Sequence, residues 1–253
     1  MLFKSFLIAL STYSICPVPQ FEWNERNMRY AICFFPAVGL FCGGALYGWY
    51  RLSTWLGFSG VLFAAVAVCL PLLLTGGIHM DGFMDTADAL SSHQSREKKL
   101  EILKDSHCGA FAILYCAVYL LLSFALFHEA FPAETLIALC PAYVLSRALS
   151  GLCAVNLPNA RGSGMLRAYT KGIHRAGASV ALALTALAAG ADSVLLSVPA
   201  GLGAVAGALA ALLWYVLVTR RQFGGVTGDT SGYFLQLCEL LSLLGLWIGG
   251  MFS

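Results

Sequence analysis

Charged side chains are scarce in this chain. Lys, Arg, Asp and Glu make up 11% of its 253 residues, where soluble domains carry roughly 25%. That is too little polar surface to face water all round. The formal net charge is only +2, which leaves no electrostatic footprint for nucleic acid. Paired cysteines are also lacking: the nine cysteines lie singly, with no C-x-x-C anywhere. Zinc sites and disulfide frameworks need clustered or regularly spaced cysteines, so these thiols read as packing residues. The stretch 1–14 has neither the long apolar run nor the small-x-small site of a cleaved signal. Pro17 and Pro19 follow it instead, and it is expected to remain as a short helix or interfacial segment.

What is present is apolar. Hydrophobic residues are 59% of the chain and the mean hydropathy is +0.77. Crossing the hydrocarbon core takes about 20 apolar residues in a helix. Seven stretches reach or approach that length: about 31–50, 58–78, 108–127, 135–155, 176–191, 194–218 and 233–252. The fifth is short, and only Asp192, Ser193 and Pro199 divide it from the sixth. The expected fold is therefore all-α: a polytopic integral membrane helical bundle forming a single domain over 1–253. It has about seven transmembrane helices, or six if one segment is re-entrant.

The loops support this count. Alternating spans place 16–30, 79–107, 156–175 and 219–232 on one side. Those loops carry Arg26, Arg29, Arg96, Lys98, Lys99, Lys104, Arg161, Arg167, Lys171, Arg175, Arg220 and Arg221, and the opposite loops carry Arg51 alone. Such an asymmetry marks the basic side as cytoplasmic. The expected location is the cell inner (plasma) membrane, multi-pass. Abundant Gly and Ala in the spans read as close helix packing, since small residues let backbones approach in lipid.

The chemistry gathers in the basic-side loops. Asp81, Asp85 and Asp88 are spaced i, i+4, i+7, which places them within an arc of about 60° on one helix face. Like charges so placed repel each other, and a divalent cation between them would relieve the repulsion. Oxygen-only ligands suit Mg²⁺ or Mn²⁺, and Mg²⁺ usually joins one or two carboxylates to substrate phosphate. A solvated acidic helix start is the plainer reading, but Phe83, Met84, Ala87 and Leu90 leave the rest of that helix apolar. His79, just before the cluster, fits a base, a ligand or a structural role.

Three further stretches complete the inventory. Residues 95–103 read as a short amphipathic cytoplasmic helix capped by Ser95, with Leu100, Ile102 and Leu103 inward. Arg96, Lys98 and Lys99 are equally well read as interfacial anchors. Lys104 and Asp105 follow, where phosphate or metal contacts could be made. Gly224, Gly225, Thr227 and Gly228 form a glycine-rich loop able to bring its backbone close to an anion, and Asp229 adds a carboxylate. Arg147 lies inside the fourth span, where a charge is costly and marks a ligand site by default. Pairing with another helix is the other reading of Arg147, and Arg161 closes the same stretch. Metal-bridged diphosphate chemistry needs this inventory.

The run Gly76–Ala89, GGIHMDGFMDTADA, closely resembles the GG-x-H-x-DG-x-x-DT-x-DG signature of the cobalamin synthase (adenosylcobinamide-GDP ribazoletransferase) family. Further matches follow in the family's order: Pro17-Val-Pro19, the 100–109 run LEILKDS to Gly109, Ser146-Arg147 with Pro158-x-Ala-Arg161, and Gly224-Gly-x-Thr-Gly-Asp229. They span nearly the whole chain. The resemblance implies a Mg²⁺-dependent membrane transferase with adenosylcobinamide-GDP as donor and α-ribazole or its 5′-phosphate as acceptor. The ribose 3′-hydroxyl would attack the phosphate on cobinamide, and GMP would leave. Asp81, Asp85 and Asp88 would hold the metal with help from Asp105 and Asp229. Arg147, Arg161 and Lys104 would neutralise phosphate charge, and His79 would be the base. Ile15, Ala89 and Lys104 depart from the family's usual Arg, Gly and Arg. Membrane lipid is an expected partner, and a homo-oligomer is compatible with the chain. Two rivals stand beside this reading. One is another intramembrane diphosphate enzyme, although the D-x3-D-x2-D spacing does not match the prenyltransferase or CDP-alcohol patterns. The other is a cation or corrinoid transporter.

Overall fold

The computed structural model describes residues 2–162 and 164–252, and the chain is helical throughout apart from its loops. The short helices α1 (Leu2–Tyr13) and α2 (Glu25–Met28) lead through a 3-10 turn into α3 (Phe35–Leu56). Next come α4 (Gly60–Leu74), α5 (Ile78–Ser91), α6 (Arg96–Ile102) and α7 (Ala110–Ala130). The remainder is α8 (Cys140–Asn156), α9 (Met165–Thr170), α10 (Arg175–Leu196), α11 (Val198–Val218) and α12 (Gly228–Gly250). Among the described residues six helical runs are long and apolar enough to cross a membrane, and α4 with α5 makes a seventh candidate bent by 93°. The chain is thus an all-α, multi-pass membrane protein.

Two boundaries differ from the sequence expectation. The fifth span is not short: α10 runs 22 residues, Asp192 lies within it, and the chain reverses at Ser197 in extended backbone. The second span is the irregular one. At about 1.5 Å per residue, the 15 residues of α4 reach only about 22 Å, less than the roughly 30 Å hydrocarbon thickness. Gly76 and Gly77 stop it, both at positive φ (62° and 77°), a conformation glycine adopts without steric cost. The chain then leaves as α5, so the residues expected to open a loop at 79 are helical.

The four basic loops do lie together at one end of the bundle. Ile15 N–H donates to the Leu74 carbonyl (2.9 Å), and Tyr169 Oη bonds Thr12 Oγ1 (2.6 Å). Lys99 bonds Gln222, and a bridge joins Asn159 to Val226. The short amphipathic helix is α6: Ser95 Oγ accepts the Lys98 N–H, and Leu103 packs with Ala89 and Phe223.

In lipid, helices associate by close packing rather than by expelling water, and glycine is used accordingly. Gly203 of α11 and Gly245 of α12 lie backbone to backbone, as does Gly39 of α3 against Tyr143 of α8. The crossing that matters for the polar end is α5 over α12. A Cβ on Gly82 would come within 2.7 Å of the Asp229 carbonyl oxygen, and one on Gly232 within 2.8 Å of the His79 carbonyl oxygen.

Gly82→Ala should therefore cost about 1–3 kcal/mol, the scale of overpacking a close contact. Gly48→Ala meets nothing within 4 Å and should be neutral or slightly stabilising. Thermal unfolding of the two variants in detergent checks this, and equal midpoints would exclude a tight α5–α12 crossing.

Candidate active site

The α5–α12 crossing decides which side chains meet. Asp81 and Asp85 project from α5 beside the first turn of α12, which carries Asp229. Asp81, Asp88 and Asp229 all lie within electrostatic range of Asp85, and Arg161 is the cation in that range. A cavity of about 270 Å³ opens there, lined by His79 and Asp81 of α5, Gly228 and Asp229 of α12, Tyr13 of α1 and Ser150 of α8. The N-terminus of α12 faces this space, and its free N–H groups and dipole favour an anion.

The loops holding Arg161 and Asp229 are fixed to each other. Val226 N–H donates to the Pro158 carbonyl (2.8 Å), and Ala160 N–H donates to the Val226 carbonyl (3.0 Å). Gly225 lies so near the Pro158 carbonyl that no side chain fits. Arg161 then pairs with Asp229 at 2.9 Å. Its Nε and Nη2 are buried without a hydrogen-bond partner among the described residues. Two guanidinium N–H groups in a fixed fork are well suited to a phosphate.

The glycine-rich loop owes its residues to folding more than to ligand approach. Gly224 ends a widened π turn, Thr219–Phe223, at φ 71°. The Arg96 guanidinium lies flat against its Cα face. Gly225 serves the bridge to 158–160. Thr227 caps α12: its Oγ1 accepts the Thr230 N–H (3.1 Å), while Thr230 Oγ1 accepts the Thr227 N–H (2.8 Å). Gly228 alone of the four borders the cavity, with open space above its Cα.

The acidic residues divide in the same way. Asp88 accepts the N–H groups of Gly109 (2.6 Å) and Ala112 (2.8 Å), capping the start of α7. Gly109 is glycine because the Asp88 carboxylate fills the place of its Cβ. Asp81 and Asp85 have no hydrogen-bond or salt-bridge partner among the described residues, leaving their oxygens available to a ligand. Lys104 and Asp105 are exposed in the loop that Asp88 anchors and do not line the cavity. Asp105 Oδ1 accepts from His107 Nδ1 (2.6 Å) and the His107 N–H (3.0 Å), and these bonds hold its carboxyl below the usual carboxylate range.

The donor set at the crossing is oxygen only, which fits a hard divalent cation such as Mg²⁺. No three His, Cys, Asp or Glu side chains form a ready-made metal cage among the described residues. An ion here would take its remaining oxygens from a phosphate and from water, as Mg²⁺ commonly does.

His79 is 4% exposed. Its ring stacks on Tyr13 at 5.9 Å and meets Phe35 edge-on at 5.8 Å, and its Nε2 has no partner among the described residues. Arg147 sits elsewhere. It is fully buried in the bundle, ion-paired with Glu239 of α12, beside Ser146 (3.0 Å) and over the Tyr143 ring (5.5 Å). That is the helix-pairing role, and Arg147 is not among the residues lining the cavity. The sequence reading missed Glu239 and Tyr13. An acid inside an apolar span is a visible signal for the first, whereas nothing in the sequence joins α1 to the site. Ile15 lies against Gly76 at the α4–α5 break.

Two substitutions probe the structural roles. Asp88→Ala should cost about 1–2 kcal/mol, the usual loss of a helix cap, read as a lower unfolding midpoint. Glu239→Leu leaves the Arg147 charge buried and unpaired, at about 3–5 kcal/mol. The double variant with Arg147→Leu should recover much of that loss, and additivity of the two single losses would exclude the pairing.

Comparison with known proteins gives the same direction from end to end. The family model described as Cobalamin-5-phosphate synthase matches residues 5–247. An adenosylcobinamide-GDP ribazoletransferase from Lachnoclostridium phytofermentans is 40% identical over 248 residues, covering 97% of this chain and 94% of that protein. Proteins of the same name from Desulfitobacterium hafniense (36% identical; 96% of each chain) and Clostridium perfringens strain 13 (30%; 97% of this chain, 98% of the relative) align over similar spans. No solved structure matches. With a match this long over the motifs that build the cavity, the chain belongs to the cobalamin-5-phosphate synthase family.

Proposed function

We propose that the chain transfers the adenosylcobinamide-phosphate group from adenosylcobinamide-GDP to α-ribazole or its 5′-phosphate, releasing GMP, at the inner membrane's cytoplasmic face. The observation that carries this reading is the cavity between α5 and α12, which Asp81 and Asp229 line, with Arg161 paired to Asp229 and Asp85 within electrostatic range of all three. Membrane-spanning helices and twelve basic residues on that side support the orientation.

The reaction asks for charge control more than covalent chemistry. Arg161, held by Asp229, sets a positive charge beside the donor's diphosphate, and the α12 N-terminus faces the same anion. Asp81, Asp85 and Asp229 would hold Mg²⁺ together with phosphate oxygens, and the ion would offset charge on the diphosphate and leaving GMP. The acceptor's 3′-hydroxyl oxygen bonds to the phosphorus attached to cobinamide as the bond from that phosphorus to the GMP oxygen breaks. His79 Nε2 takes the hydroxyl proton. Tyr13 and Phe35 hold the imidazole ring in place and keep water from it.

The test uses purified protein in liposomes with adenosylcobinamide-GDP, Mg²⁺ and either acceptor, following GMP and the corrinoid product. Chelation by EDTA should abolish turnover. Asp85→Asn should lower kcat about a hundredfold or more, as loss of one charge-stabilising group does. Comparing rates with α-ribazole and its phosphate identifies the acceptor. Folded wild-type protein that binds Mg²⁺ but releases no GMP would sink the assignment and favour a transporter.

A further inference from the structure

A second cavity lies on the opposite face of α5 from the carboxylates. It holds about 670 Å³ and is bounded by α5, α6, α7, α11 and α12. Its back wall is aromatic: Phe83 stacks on Tyr233 at 5.5 Å, and Tyr119 lies 5.5 Å from the same ring. Its outer wall carries Tyr115 and Trp214, which are 46% and 53% exposed on the membrane-spanning helices α7 and α11. The space therefore opens sideways toward lipid rather than into the catalytic cavity.

One end of this space is charged. Lys99 of α6 lines it and is only 6% exposed. Its ammonium bonds the neutral amide of Gln222 and forms no salt bridge with a carboxylate among the described residues. Lysine is almost never fully buried unless it is paired, and an unpaired buried cation is costly. Lys98, its neighbour, has Glu101 at 2.9 Å and is exposed. The chain thus places a lysine without a carboxylate partner inside, at the head of an apolar chamber open to the bilayer.

The geometry points to a binding site for an anionic phospholipid, with the phosphodiester on Lys99 and Gln222 and the acyl chains among the rings of α5, α7 and α11. Charge complementarity selects the anionic headgroup, and the opening between membrane-spanning helices selects a lipid over a water-borne anion. Occupancy would tie α6 to the bundle: the Arg96 side of α6 already packs on Gly224, so the lipid and the Gly224–Asp229 loop share one helix as support.

Titration of the detergent-purified full chain with phosphatidylglycerol or phosphatidylcholine, read by native mass spectrometry, tests this. Wild-type protein should bind phosphatidylglycerol at least about tenfold more tightly than phosphatidylcholine. Lys99→Gln should remove that preference and Lys99→Arg should keep it. Val118→Phe, which fills the mouth without touching the lysine, should weaken both lipids and decides the matter if Lys99→Gln does not fold. Equal affinity for the two lipids in wild type overturns the proposal, as does a preference that survives both Lys99→Gln and Val118→Phe. One-for-one displacement of phosphatidylglycerol by α-ribazole would also overturn it, since the chamber would then belong to the acceptor.

Discussion

The polar end of this protein is organised around carboxylates that cannot be comfortable together. Asp81, Asp85 and Asp88 share a helix, and the α5–α12 crossing adds Asp229 to the same field. Each residue meets the repulsion differently. Asp88 spends its charge on the N–H groups that begin α7, where a helix start welcomes an anion. Asp229 takes Arg161. Asp81 and Asp85 keep no partner among the described residues, so the unrelieved charge sits where a cation and a diphosphate would be useful. Selection for stability alone would not leave such a pair, and stability sacrificed at one place is characteristic of functional sites.

Holding that arrangement inside a membrane requires close backbones. Lipid gives helices little reason to associate beyond packing and hydrogen bonds, so positions that set the site's dimensions are glycines. Gly82 and Gly232 bring α5 onto α12, Gly225 brings the 219–228 loop onto 158–160, and Gly109 admits the Asp88 carboxylate. The 93° turn at Gly76-Gly77 is part of the same construction. A straight helix would carry 78–88 onward along the axis of α4, whereas the bend packs α5 against α7 and α12 and brings Asp81 beside Asp229.

Much of this was legible in the sequence because membranes impose coarse rules. Six of the seven apolar stretches correspond to helices long enough to cross a membrane, the second to the short helix of the bent α4–α5 pair, and the basic loops do meet at one end. The i, i+4, i+7 spacing rightly placed Asp81, Asp85 and Asp88 on one helix. What could not be read is which partner each residue takes. Asp88 looks like its neighbours in sequence, and only the fold brings Gly109 and Ala112 to it. Thr227 and Gly225 sit in a loop that resembles an anion cradle, yet one caps a helix and the other makes room for a carbonyl. The fifth span was underestimated because Asp192 was weighed as a boundary, although one acid in the last turns of α10 does not end a helix.

The same distinction explains the two buried cations. Arg147 and Lys99 are both charges removed from water, and sequence alone would treat the intramembrane Arg147 as the binding group and Lys99 as a surface anchor. Their surroundings reverse that order. Arg147 has Glu239, Ser146 and the Tyr143 ring, a set that compensates the charge and ties α8 to α12, the helices that contribute Ser150 and Asp229 to the cavity beside α5. Lys99 has one neutral amide and an aromatic chamber facing lipid. A buried charge supplied with its counter-charge is finished structure, and one without it is addressed to something outside the chain. On that criterion Arg147, paired with Glu239, is support for the helices around the cavity, and Lys99 is addressed to the membrane.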